Sequence, residues 1–190
     1  MVSTLTDEKR AAIAEKLADM KAVQNLLIGI ERQFVEKCDD RDISDRLDKM
    51  LEDDQKNLGI LETVITQYGI QAQPKETVTE MVDKTQKLMS SSKLTMYEKA
   101  TQHELLKHAQ VMSGIVIHKA AQIVGADVEA AITPLNTVNF ENRAHQEQLK
   151  GMLEVFGTRQ LTGQDPDRGV WARVQDAMSA MTGVLGSVVT

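Results

Sequence analysis

The sequence predicts an all-α protein built from four long helices, and three observations support this. Aromatic residues make up 3% of the 190-residue chain and there are only three prolines, while good helix formers dominate. Apolar residues recur at three- and four-residue steps over long stretches. Glycine, proline or polar clusters separate those stretches. A chain of this length forms one domain with a sizeable core, with room for an appendage.

The first two helices are predicted over residues 7–38 and 42–68. In the first, Ile13, Leu17 and Leu27 begin an apolar stripe that polar residues interrupt. The polar segment KCDDRD separates the two helices, and Gly69 is expected to end the second. Because the join is short, the two helices should pack antiparallel.

The connection over residues 69–94 is long and contains a short helix of its own. Pro74 breaks the chain, TVTE at Thr77–Glu80 predicts a capping box, and a short amphipathic helix runs to about Met89. TMYE at Thr95–Glu98 predicts a second capping box, which opens the third long helix. A connection of this length can run the whole length of a bundle, which favours the ferritin-like arrangement of four helices.

The third long helix is predicted to end at Gly125, and the fourth to run from near residue 127 to about 156. Pro134 should kink or restart the fourth helix. The predicted domains are a four-helix bundle over 1–156, a linker over 157–169, and an amphipathic C-terminal helix over 170–190. After Asp176 that last helix has no charged residue. It could pack on its own bundle or on a second molecule.

Polar residues interrupt the apolar stripes near the middle of each long helix, as at Gln24, Asp54, His108 and Asn142. We expect them to meet in one layer of the core, since the four helices cross there. Carboxylates and imidazoles inside a bundle can bind two iron or manganese ions. The candidate metal ligands are Glu31, Asp53, Asp54, Glu104, His108, Glu141 and His145.

A metal-free polar network is the alternative, because buried polar residues can also satisfy one another. A di-metal centre of this kind uses Glu-x-x-His pairs. Here the pairs are Glu104 with His108 and Glu141 with His145, each one residue longer. The sequence therefore favours a core without a cofactor, and iron or manganese would be the cofactor if the site is functional.

Two segments resemble the bacterial ferritin-like family of the YciF type, which is associated with stress responses. They are LEDDQKNLGILETVITQYG over 51–69 and LKHAQVMSGIVIHKAAQIVG over 106–125. The resemblance implies a dimeric four-helix bundle with a di-metal centre. Its ligand positions match best at Asp53, His108 and Glu141, and the family pattern is lost where this chain has Val23, Lys107 and Gln110.

The resulting hypothesis is a non-catalytic, stress-associated protein that self-associates as a dimer or binds a protein partner through its last helix. The alternatives are a di-metal protein for iron storage or for oxygen or peroxide chemistry, and, less favoured because there are only four histidines, a hemerythrin-like binder. With a net charge of −6 and no basic patch, no nucleic-acid partner is expected. A single cysteine, Cys38, together with the absence of signal-peptide and transmembrane patterns, predicts a cytoplasmic protein.

Overall fold

The computed structural model describes residues 2–166, with side chains from residue 7 onward, and every regular element in this part is a helix. The helices are α1 (Val2–Lys37), α2 (Arg41–Tyr68), α3 (Glu76–Ser90), α4 (Met96–Val124), α5 (Ala126–Ile132) and α6 (Leu135–Thr162). The prediction of an all-α protein is confirmed.

The helix bounds follow the sequence closely except in the fourth predicted helix. That stretch forms two elements, because Pro134 interrupts it and α6 restarts directly after this residue. α6 continues to Thr162, so residues 157–162 of the predicted linker are helical, and Gly163 ends the helix at a φ of 71°. The predicted C-terminal helix, 170–190, lies outside the described residues.

One of the two predicted capping boxes forms. The Thr95 hydroxyl accepts a hydrogen bond from the Glu98 backbone N–H at 3.2 Å, and Glu98 Oε2 accepts one from the Thr95 N–H at 2.8 Å. The box at Thr77–Glu80 is wrong, because α3 already begins at Glu76 and Thr77 lies inside the helix. The chain therefore enters α3 without a side-chain cap.

The four long helices surround a common interior. α1 packs against α2 and α4, and α6 packs against the same two helices. α3, which lies in the long connection, packs against α1. None of the helices within residues 2–166 has an apolar stretch of the length that crossing a membrane requires.

The buried apolar residues form two clusters, one toward each end of the helices. The first cluster includes Ile13, Leu17, Leu61, Ile117 and Leu135. The second includes Leu26, Phe34, Ile43, Met50 and Leu149. Gln24, Asp54 and Asn142 lie on helix segments between the two clusters, and the buried Glu31 lies beside the second cluster. These buried polar residues, with the groups that they contact, are called the polar layer below, and the candidate site begins there.

Candidate functional site

The centre of the polar layer is the ammonium group of Lys107, which α4 directs into the core. Its Nζ lies 3.1 Å from Glu31 Oε1 on α1 and also contacts Asp54 Oδ2 on α2. All three side chains have no exposed surface. Buried charges are tolerated when they are paired in this way. Lys107 pairs with carboxylates from two other helices, and its single positive charge balances one of the two.

Side-chain amides connect the same helices around this ion pair. Gln24 Nε2 donates to the Asp54 backbone oxygen at 3.2 Å, and Gln110 Nε2 donates to Gln24 Oε1 at 3.1 Å. Asn57 Nδ2 donates to Asp54 Oδ1 at 3.4 Å. The prediction that polar residues of several helices meet in one layer is therefore confirmed, with Gln24 and Asp54 in it.

His103 completes the layer on the side of Glu31. Its Nε2 lies 3.0 Å from Glu31 Oε1, and its ring packs edge-on against Phe34 with the ring centroids 5.5 Å apart. Among the described protein atoms, Glu31 Oε2, His103 Nδ1 and both polar atoms of Asn142 have no hydrogen-bond partner.

The charge state of Asp54 follows from its surroundings. Burial raises the pKa of this carboxyl group, but the Lys107 ammonium and the His145 ring lower it by more. The net result is a pKa well below the usual 3.8. Asp54 is therefore ionised at neutral pH and forms a true ion pair with Lys107.

Two predicted metal ligands, Glu104 and His108, lie outside the polar layer, so their predicted position on the inward face of α4 is wrong. Glu104 is half-buried and His108 is exposed. Gln146 Nε2 donates to Glu104 Oε1 at 2.9 Å and lies 3.2 Å from His108 Nδ1. The inward face of α4 carries His103, Lys107 and Gln110 instead. The sequence analysis missed these residues, although His103 and Lys107 stand four positions apart and so share a face.

Three other predicted ligands come together beside the layer, closer to the surface. One ligand atom from each of Asp53, Glu141 and His145 lies within 4.8 Å of the other two. α2 supplies Asp53 to this group, and α6 supplies Glu141 and His145, which share a face because they are four residues apart. These three residues are called the surface trio below. Their side chains range from half-buried at Asp53 and Glu141 to buried at His145.

His145 joins the surface trio to the polar layer, because its two ring nitrogens face different groups. Nδ1 lies 3.3 Å from Asp54 Oδ1 and 3.1 Å from Lys107 Nζ, while Nε2 lies 3.9 Å from Asp53 Oδ2. In one ring tautomer Nδ1 accepts from the Lys107 ammonium and Nε2 carries the proton; in the other, Nδ1 donates to Asp54 and Nε2 presents its lone pair to the trio. A carboxylate behind the imidazole is the usual arrangement that orients a metal-binding histidine.

The Asp53 carboxylate of the surface trio is paired with two lysines. Asp53 Oδ1 lies 2.7 Å from Lys49 Nζ and 3.1 Å from Lys56 Nζ, and both lysines are largely exposed. Partial burial raises the pKa of Asp53, but the hydrogen bonds from Lys49 and Lys56 outweigh it, so the pKa is lowered. Asp53 is therefore ionised at neutral pH and is bordered by two ammonium groups. The assignment of a metal to the surface trio, and to Glu31 and Asp54, stays a prediction.

The chain is similar to a curated protein from Nostoc sp. (strain PCC 7120) named DNA nickase. The two are 64% identical over 190 residues, which is 100% of this chain and 54% of the relative. The chain thus spans about half the length of the relative it matches. No protein-family model and no solved structure matches the chain.

This relative corrects three expectations from the sequence. The resemblance to the ferritin-like stress family is wrong, because a protein 64% identical along the whole chain carries a different name. The hypothesis of a stress-associated, non-catalytic protein and the iron-storage alternative are wrong for the same reason. The exclusion of nucleic acid is also overturned, since the name of the relative refers to DNA. Helix periodicity and connection length are shared by many all-α proteins, so they indicate a fold class and not a family.

Proposed function

We propose that this chain is a helical part of a DNA-nicking protein and that the surface trio holds its divalent cation. The observation that carries the proposal is the 64% identity to a DNA nickase over every residue of the chain. This chain matches only about half of that protein, and the other half could carry either activity. DNA binding and strand cleavage by this chain are therefore both parts of the proposal.

The donor set of the trio suits a divalent transition metal. Two carboxylates and one imidazole favour ions such as Mn²⁺, Fe²⁺ or Zn²⁺, so iron and manganese stay the candidate cofactors. Ligand atoms about 2.1 Å from one ion lie about 3 to 4 Å from each other. The trio atoms lie within 4.8 Å, and small rotations of the half-buried Asp53 and Glu141 would close the difference.

The polar layer supports the trio without competing for the ion. Lys107 already pairs with both Glu31 and Asp54, so an ion bound at the trio would leave these two ion pairs in place. Asp54 would hold His145 in the protonation state that leaves Nε2 free. The four long helices are proposed to form a four-helix bundle, with α3 in its crossover connection, which presents the trio on one side.

Nicking a strand is the hydrolysis of one phosphodiester bond. A bound divalent cation would supply a Lewis acid for the phosphate and lower the pKa of an attacking water. Asp53 would help to hold the cation, and Lys49 and Lys56, which pair with Asp53 in this structure, would then offer their ammonium groups to the phosphates on either side. Such a local arrangement would allow a chain whose net charge is −6 to contact DNA, because net charge sums over the whole surface.

The test is conversion of supercoiled plasmid to the nicked circle by the full chain with Mn²⁺, Mg²⁺, Zn²⁺ or Fe²⁺, with EDTA as a blank. Glu141→Gln removes one ligand at a half-buried position, and Glu104→Gln is the matched control on a half-buried carboxylate that pairs with Gln146. We expect Glu141→Gln to lower both nicking and Mn²⁺ affinity by about tenfold or more, and Glu104→Gln to change neither.

Two results would count against the proposal in different ways. If the wild-type chain nicks plasmid with none of the four cations, the nicking function is wrong for this chain. If the wild type nicks and Glu141→Gln nicks equally well, the function stands and the surface trio is not its metal site. Calorimetric titration with Mn²⁺ distinguishes these cases because it does not depend on cleavage.

A further inference from the structure

The outer face of α4 carries an apolar stripe that no other described element covers. Leu105, Met112, Val116 and Ile123 are 54%, 46%, 58% and 81% exposed. They follow one another at steps of seven, four and seven residues, which places them on one line opposite the inward face. Among the exposed residues of α4 from Leu105 to Ile123, Lys119 is the one acidic or strongly basic residue. A helix that is apolar on both faces is typical of one that is covered on both.

A groove extends this stripe toward α1. It has a volume of about 280 Å³ and lies between the early turns of α1 and the last turns of α4. Its walls are apolar, with Ile13 on one side and Val116 and Ile123 on the other, and Lys9 and Lys16 also line it. Because Val116 and Ile123 belong to both features, the stripe and the groove form one continuous surface. It is called the α4 outer surface below.

The α4 outer surface has the size of an interaction site. At 1.5 Å per residue the stripe is about 27 Å long, and a helix with its side chains is about 10 Å wide. The stripe thus presents roughly 300 Å² of apolar area before the groove is added. Soluble monomers rarely expose continuous apolar patches of more than a few hundred Å², and patches of this size often mark a contact with another molecule.

The spacing of the stripe is symmetric about Gly114. Leu105 and Ile123 each lie nine positions from this residue, and Met112 and Val116 each lie two positions from it. Two α4 helices that pack antiparallel and cross at Gly114 would therefore bring Leu105 of each copy against Ile123 of the other, and Met112 against Val116. A dimer with twofold symmetry needs such a self-complementary surface, because the same residues of both copies meet in it.

The charged residues beside the stripe suit the same antiparallel arrangement. Lys119 comes opposite Ala109 of the second copy, whose small side chain leaves room for the aliphatic part of the lysine. Glu98 lies on the line of the stripe, seven residues before Leu105, while Lys9 borders the groove at the other end. Antiparallel copies place Glu98 of one near Lys9 of the other, whereas parallel copies would place the two Glu98 carboxylates together.

We propose that the α4 outer surface binds a second copy of this chain, with the two α4 helices antiparallel and crossing at Gly114. The two stripes together bury roughly 600 Å², and the grooves add to this. A contact of this size lies at the lower end of specific interfaces, so we expect a dimer that dissociates with a Kd of about 1–100 μM. The proposal is independent of the nicking activity, because none of the surface trio belongs to the α4 outer surface.

Sedimentation velocity of the full chain, from about 1 μM to about 300 μM, measures the association. The wild type should pass from monomer to dimer over this range. Val116→Glu, at a position that is 58% exposed, sets a carboxylate against Met112 of the second copy and should raise the Kd about tenfold or more. Its far-ultraviolet circular dichroism should stay the same. Leu88→Glu, on exposed surface of α3, is the matched control and should leave the Kd unchanged.

Disulfide cross-linking tests the direction of the two helices. Cys38, the single native cysteine, is first replaced with serine. Leu105→Cys and Ile123→Cys are then made as separate variants, one of them enriched in a heavy nitrogen isotope, and mixed in equal amounts in air. In the antiparallel arrangement the two different positions meet, whereas like positions are about 27 Å apart. We expect the mixed disulfide to exceed either disulfide between like chains at least about tenfold.

Four results would overturn the proposal. The first is a wild type that stays monomeric at about 300 μM, and the second is a dimer that Val116→Glu does not weaken. The third is a mixed disulfide that does not exceed the other two, since that indicates parallel copies or random collisions. The fourth is protection of Leu105→Cys and Ile123→Cys from maleimide at concentrations where the chain is monomeric, which would assign the α4 outer surface to another part of the same chain.

Discussion

Replacing Lys107 with methionine should destabilise the fold by about 3–5 kcal/mol at pH 7. The substitution keeps the length of the side chain and removes the ammonium group from Glu31 and Asp54, both fully buried. Breaking a buried ion pair by removing one partner costs about this much, because the other charge is left without compensation. Against a typical total of about 5–15 kcal/mol, the variant would be marginally stable.

The cost should depend on pH in a direction that the structure fixes. In the wild type, Lys107 and His145 outweigh burial and hold the pKa of Asp54 below 3.8. The contribution of Asp54 to stability is thus fully present above its unfolded value and is lost as the pH falls toward the folded one. In Lys107→Met, the ammonium group that lowered the pKa of Asp54 is gone, so the effect of burial raises this pKa. Protonation then removes the uncompensated charge of Asp54 in the variant. The difference in the free energy of unfolding between wild type and Lys107→Met should therefore be smaller at pH 4 than at pH 7.

Urea unfolding followed by circular dichroism at both pH values measures the gap. Lys99→Met is the matched control on the same helix, since Lys99 is 9% exposed and forms no ion pair among the described residues. Its pKa is lowered, first by burial and then by Lys37, so removing its charge should cost little. A loss below about 1 kcal/mol for Lys107→Met at pH 7, or a gap that is equal at both pH values, would refute the ion-pair account.

Two further predictions concern helix contacts and caps. A Cβ at Gly114 would overlap the Asn139 side chain, whereas one at Gly59 meets nothing within 4 Å. Both alanine variants gain the same helix propensity, so the overlap with Asn139 alone should make Gly114→Ala less stable than Gly59→Ala, by roughly 1–3 kcal/mol. Thermal unfolding of the two variants measures this difference, and equal stabilities would contradict the overlap. Thr95→Ala should cost about 1 kcal/mol in urea unfolding, because it removes the acceptor for the Glu98 backbone N–H; no loss would show that the Glu98 carboxylate caps the helix alone.

The helices were predictable because their signals are local. Apolar spacing, Gly69 and the Thr95 capping box depend on residues within a few positions of each other, and the structure bears them out. The restart after Pro134 was also indicated by the missing backbone N–H. The capping box at Thr77 failed because a local motif does not show where the preceding chain enters the helix, and here the helix begins at Glu76.

The site was predictable only in part, because its geometry depends on contacts between distant residues. Gln24, Glu31 and Asp54 fell in the polar layer as expected, since each interrupts an otherwise apolar stripe. Lys107 was not among the predicted site residues, because a lysine is normally exposed and only the facing carboxylates make its burial possible. α4 is apolar on both faces, so periodicity alone could not decide which line of residues points inward.

The division of the apolar core by the polar layer has a consequence for how the helices unfold in the native state. Each apolar cluster involves the same long helices at a different height, and the buried charges of α1, α2 and α4 pair only when these three helices are in register. A slip of one helix by one turn, about 5.4 Å, would set a carboxylate against hydrocarbon. The layer therefore couples the two ends, and amide hydrogens in both clusters should exchange with solvent through the same cooperative opening.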